Sequence, residues 1–208
     1  MVYGQTVKND ETEELHMIDY GKRAARVVFG LFLFSLGSYL NIRANIGLGA
    51  WESLSMGLSY LTGARYGVMS VATSVVILGV DLLLRERIGL GTILDAALVG
   101  TFVDLLSALD LVPMMTGFWA GLGVLLFGQV LMCVGSYFYM GAALGCGPRD
   151  SLMVALARRL PRVPIGLVRG TIEFTALAVG WLLAAKVGVG TVISFFGIGV
   201  ILQITFRL

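Results

Sequence analysis

The strongest constraint on this chain is an internal duplication. The segment Gly47-Leu48-Gly49-Ala50-Trp51-Glu52-Ser53-Leu54 returns 98 positions later as Gly145-Cys146-Gly147-Pro148-Arg149-Asp150-Ser151-Leu152. Phe29-Gly30 aligns with Phe127-Gly128, and Gly37-Ser38-Tyr39 with Gly135-Ser136-Tyr137, at the same offset. After one inserted residue, Gly67 aligns with Gly166, Gly89-x-Gly91-Thr92 with Gly188-x-Gly190-Thr191, and Gly100 with Gly199, at an offset of 99. Glycine pairs and tyrosines recurring in fixed order are hard to obtain by chance, so the two halves share one plan.

That plan is apolar. Hydrophobic residues make up 57% and charged residues 13% of the chain, against roughly 25% charge in a soluble domain, and the mean hydropathy is +0.88. Apolar runs at 27–42, 66–84, 90–109, 118–140, 165–185 and 190–206 are divided by short charged or polar segments. At ~20 residues per span, these predict an all-α polytopic membrane protein with six transmembrane helices. Two further stretches, 50–62 and 149–160, are shorter. A helix of that size reaches only ~18 Å, well short of a ~30 Å hydrocarbon core. Each is therefore expected to be re-entrant or interfacial. The chain then divides into an acidic tail at 1–21, a first repeat at 22–110 and a second at 118–208. With no apolar run after a basic start, the tail is not expected to be a cleaved signal.

Basic residues orient the halves. With three spans per half and the N-terminus inside, Lys22, Arg23, Arg26, Arg85, Arg87, Arg149, Arg158, Arg159, Arg162 and Arg207 lie on the cytoplasmic side, and Arg43, Arg65 and Lys186 outside. That is ten against three, and the loop 110–117, which has no basic residue, falls outside. If the short segments spanned, the count would drop to eight against five, and that loop would fall inside. The positive-inside rule favours the first arrangement. An odd number of spans makes the repeats inverted, the layout of many secondary transporters.

Several function classes recede on the same grounds. A net charge of +2 with no single basic patch does not suit a nucleic-acid partner. The single His16 sits in the tail, so no Cys/His metal site and no Ser-His or Cys-His pair can form. No enzyme activity and no cofactor are expected. The partners implied are the lipid bilayer, a small molecule or ion, and a second copy of the chain in a homodimer.

The two G-x-G-[AP]-x-[ED]-S-L segments in a duplicated chain resemble the YczE/YyaS/YitT family of bacterial integral membrane proteins, over roughly residues 24–207. Retention of both motif copies brings the chain nearest to the YczE branch. The resemblance implies a multi-pass protein of the bacterial plasma membrane, in a family loosely called transporter-like. The first copy departs from the second by having Ala50-Trp51 where the second has Pro148-Arg149.

A glycine turn, a proline or small residue, and then an acid read as a helix N-terminus, where unpaired N–H groups need acceptors. Glu52 and Asp150 could cap their own helices. Alternatively, two half-helices point at one cavity, where the carboxylates bind a proton, Na⁺ or an amine, and Arg149 or the free N–H groups of Gly47, Gly49, Gly145 and Gly147 receive an anion. A third arrangement lays each segment flat at the interface with Trp51 as an anchor. Of the acids within spans, Glu173 pairs with Arg169 at i,i+4 or binds substrate. Asp81 is expected to pair with Arg85 near a span end. Asp95 and Asp104 fall on opposite helix faces, and Asp95, followed by Ala96 and Ala97, is the candidate for a cavity. The resulting expectation is a small-solute secondary transporter, or alternatively a membrane-embedded ligand-binding or accessory subunit that acts with a partner.

Overall fold

A computed structural model describes the backbone of residues 3–86 and 88–205 and the side chains of 20–86 and 88–197. Most of the acidic tail's side chains, and Arg87 and Arg207 of the basic count, lie outside the described residues. Among those residues the chain forms eight helices and no strand: α1 Tyr3–Ala44, α2 Ala50–Thr62, α3 Tyr66–Leu83, α4 Leu90–Leu109, α5 Phe118–Met140, α6 Pro148–Arg159, α7 Ile165–Leu182 and α8 Val189–Thr205. Five stretches are long and apolar enough to cross a membrane: Tyr20–Ala44 within α1, and α3, α4, α5 and α7. The remaining apolar helix, α8, has 17 residues, while α2 and α6 have 13 and 12.

The distribution of side chains is that of a protein solvated by hydrocarbon. Val68, Val75, Val76, Leu83, Phe127, Leu167, Phe174 and Trp181 point outward, while Ser35, Ser38, Ser53, Ser55, Ser70, Thr92, Ser136 and Thr191 are buried. Lipid offers no hydrogen bonds, so small polar groups turn inward, where the helix backbone or another helix can accept them. Ser35 and Ser136 do so by bonding back to Leu31 and Met132 at 2.7 and 2.9 Å.

The packing is organised by α1 and α5, which run antiparallel. Gly30 meets Gly135, Gly37 meets Gly128, and Ala44 meets Gly121, so residue numbers rise on one helix as they fall on the other. A Cβ on Gly30 would stand 2.7 Å from the Gly135 carbonyl, and one on Gly135 2.5 Å from the Gly30 carbonyl. Only glycine permits backbones this close. At the repeat offset Gly30 corresponds to Gly128 and Gly37 to Gly135. The two contacts are therefore one contact seen from each half.

The same exchange governs the rest. α2 packs on α7 and, equivalently, α6 on α3; α1 packs on α4, and α5 on α8. Each motif docks onto the other half. Gly91 N–H donates to the Leu144 carbonyl at 2.8 Å, and Gly190 N–H to the Ile46 carbonyl at 2.9 Å. Gly145 (φ +113°) rests on Gly89 and Thr92, while Gly47 (φ +132°) rests on Gly188 and Thr191. Both glycines hold a backbone shape that an L side chain would strain, and a Cβ would strike the partner loop.

One sequence expectation fails here. Asp81 does not pair with Arg85: it is fully buried, whereas Arg85 is exposed. The physical reason is that α3 ends at Leu83 and Arg85 takes φ +56°. The helical spacing that would have brought the two together has ended. The other expected pair does form, with Arg169 Nε 2.8 Å from Glu173 Oε1.

Candidate functional site

The two docked motifs bring the starts of α2 and α6 to one cavity of about 130 Å³. Gly49, Ala50, Trp51 and Glu52 line it from one side, and Gly147, Pro148, Arg149 and Asp150 from the other. Ser74 of α3, Asp95 of α4, Ser136 and Tyr139 of α5, Arg169 and Glu173 of α7 and Ser194 of α8 add further polar groups to its wall. Drug-sized pockets start at ~300 Å³, so this volume suits an ion or a compact solute. A side pocket of about 20 Å³ continues behind Trp51 and Arg149, beside Met153 and Ile172.

The motif carboxylates sit in the first turns of their helices but reach across to other elements. The Ser38 hydroxyl of α1 donates to Glu52 Oε1 at 3.3 Å, and the Tyr139 hydroxyl of α5 donates to Asp150 Oδ2 at 3.0 Å. First-turn acids also gain from the partial positive charge of the helix start, so capping and cavity lining are not exclusive. Two motif glycines make space for acids. A Cβ at Gly49 would fall on Glu52 Oε2, and one at Gly147 on Asp95 Oδ2, so the Asp95 carboxylate rests against the start of α6. Gly47 and Gly145, expected among the ligand-binding residues, are absent from the cavity wall. Their left-handed turns are occupied in docking onto the other half.

Trp51 and Arg149, the least alike pair of equivalent residues in the motif copies, meet each other. The guanidinium carbon lies 4.9 Å from the ring centroid, a cation–π distance. Equivalent residues of two related halves can touch only near the axis relating them. The mismatch thus falls where two copies of one residue would compete for the same space. Other equivalent positions also differ: Asp95 faces Ser194 at the offset of 99, and Glu173 corresponds to Ser74. The first half contributes Glu52 and Asp95 and no base; the second contributes Asp150, Glu173, Arg149 and Arg169. Acids outnumber bases four to two in the wall.

Of the other polar residues within spans, Asp104 lies outside the wall and accepts the Gly67 N–H at 2.7 Å, capping α3. Sequence reasoning missed Ser38 and Tyr139 as partners of the acids. The recurrence of Gly-Ser-Tyr at 37–39 and 135–137 was the available signal for Ser38. Tyr139 had none, because its counterpart is Asn41. Among the described residues no three His, Cys, Asp or Glu side chains form a metal-binding group.

Several apolar helices of membrane-spanning length, packed around a cavity that several charged side chains line, are those of a multi-pass membrane protein. The chain belongs to a family of unknown function, DUF6198, whose profile matches residues 21–207. It is 30% identical over 182 residues to an uncharacterised protein of Haemophilus influenzae, covering 88% of this chain and 82% of that one. It is also 28% identical over 176 residues to the uncharacterised membrane protein YczE of Bacillus subtilis, covering 84% and 80%. The resemblance to YczE carried by the two motifs thus holds over most of the chain. No solved structure matches it.

Proposed function

We propose that this protein is a small-solute secondary transporter of the bacterial plasma membrane, and not an enzyme, with its central cavity as the solute site. The observation that carries this reading is the convergence of both motif copies on one acid-rich cavity. The excess of carboxylates over guanidinium groups favours a cation, either a small organic amine or a monovalent ion accompanied by a proton.

In this reading the chain crosses six times as two inverted three-span halves, with α2 and α6 re-entrant and the N-terminus cytoplasmic. Antiparallel α1 and α5, related by the repeat, support it, because a two-fold axis that reverses helix direction lies in the membrane plane. The ends also sort consistently. Arg43 pairs with Asp110, and Lys186 donates to Asn45 at 2.6 Å, at one face; Arg158 pairs with Glu86 at 3.1 Å at the other. Arg149 faces the cavity, so it leaves the cytoplasmic count, which becomes nine against three without changing the orientation.

The test is tracer flux into liposomes containing the purified chain, screened over small amines and monovalent cations. Glu52→Gln and Asp150→Asn should each lower flux at least about tenfold, the scale of a lost charge-assisted hydrogen bond, with folding intact. Normal flux in both variants would sink the cavity as the solute site. Solute binding without flux would instead fit a ligand-binding subunit that needs a partner.

A further inference from the structure

The repeat provides an internal control for what the fold itself requires. Where α2 crosses α7, Gly57 and Gly180 bring the backbones together, and a Cβ on Gly180 would stand 2.6 Å from the Ser53 carbonyl oxygen. The equivalent crossing of α6 on α3 uses Ala155 and Asp81, both with 0% exposure. One half fills this position with a hydrogen atom, the other with a carboxyl group. Packing does not demand an acid there.

Asp81 is also poorly provided for. Both of its carboxylate oxygens are buried and neither makes a well-formed hydrogen bond, the Ser151 hydroxyl of α6 being the side-chain donor at hand. Among the described residues no cation pairs with it. Arg85 has turned away at the end of α3, Arg158 is held by Glu86, and Arg159 donates to the Leu84 carbonyl at 2.7 Å. The remaining ionisable groups nearby are Glu86 in the following loop and Cys146 in the second motif, which also senses Asp95 and Asp150. A buried carboxylate without a partner takes up a proton rather than stay charged. A metal cation would need several more oxygens than one carboxyl and one hydroxyl provide.

We propose that Asp81 is a proton-binding site whose occupancy controls the α3–α6 contact, and through it the placement of Arg149 and Asp150 in the cavity. Protonated, the carboxyl is neutral and the contact stays closed. On deprotonation the proton passes to water at the Glu86 end of α3, and the new charge drives α6 off to let solvent in. Because α2–α7 has glycine at this position, the device belongs to one half only. It goes beyond the transport reading and stands whether or not a solute crosses the cavity.

The test uses the purified full chain with Trp119→Phe and Trp181→Phe, leaving Trp51, stacked on Arg149, as the reporter of α6. Infrared difference spectra between mildly acid and alkaline pH should contain a C=O stretch of a protonated carboxyl that is absent in Asp81→Asn and in Asp81→Gly, the residue at the equivalent crossing. Trp51 emission should titrate with pH in the parent and lose one component of that titration in both variants, while circular dichroism and elution volume stay unchanged. Should a variant fail to fold, the parent alone decides: absence of any protonated-carboxyl band, or pH-independent Trp51 emission, overturns the proposal. So do a carboxyl band and a Trp51 titration that are both unchanged in a folded variant.

Discussion

Replacing Gly145 by alanine tests the docking of each motif onto the opposite half. At φ +113° alanine is strained, which costs ~1–3 kcal/mol. Its Cβ would also stand 2.8 Å from Thr92 Oγ1 and 3.0 Å from Gly89 Cα, inside the ~3.5–4 Å of normal contact. Relieving that clash costs a further ~1–3 kcal/mol. Together the expected loss is ~2–6 kcal/mol of unfolding free energy, measured by reversible denaturation in detergent. Two controls separate the terms. Gly63 has φ +71° and nothing within 4 Å of a built Cβ, so Gly63→Ala should cost only the left-handed penalty of ~1–2 kcal/mol. Gly79 and Gly123 lie within helices with nothing within 4 Å, and alanine there should gain ~0.5–1 kcal/mol. Gly47→Ala, whose Cβ would sit 2.7 Å from Thr191 Oγ1, should match Gly145→Ala within about 1 kcal/mol because the two docks are equivalent. If Gly145→Ala is no more damaging than Gly63→Ala, the motif does not rest on the α4 start, and the convergence of the two motifs loses its structural support.

Two further predictions concern the axis and the orientation. A double-mutant cycle with Trp51→Phe and Arg149→Gln, read by the same unfolding assay, should give a coupling of ~0.5–2 kcal/mol; additive effects would mean the two side chains do not stack. In a background lacking Cys133 and Cys146, cysteine at Leu111 (64% exposed) should react with an impermeant thiol reagent in intact cells, and cysteine at Leu160 (48% exposed) only after lysis. Equal labelling from one side would rule out the inverted arrangement.

The segments were legible because apolar run length reports the local solvent directly, and lipid leaves a helix few alternatives. The duplication was legible because glycine at a close crossing or a left-handed turn cannot be replaced freely, so Gly30, Gly37, Gly47 and their counterparts register the two halves. Charged residues within apolar spans were harder to read. A partner at i+4 is always available on paper, and the rule succeeds for Arg169–Glu173, where the helix continues, and fails for Asp81–Arg85, where α3 stops at Leu83.

By itself the sequence determined an all-helical chain with two related halves, each carrying a glycine turn before an acid, because these follow from composition and local backbone chemistry. Only the tertiary structure decided that each motif docks on the other half, that Glu52, Asp95, Asp150 and Glu173 share one cavity, and that Trp51 lies against Arg149. These bring together residues far apart in the chain, Glu52 and Asp95 by 43 positions and Gly47 and Gly188 by 141. They depend on which helix faces meet, and among uniformly apolar helices periodicity does not mark those faces.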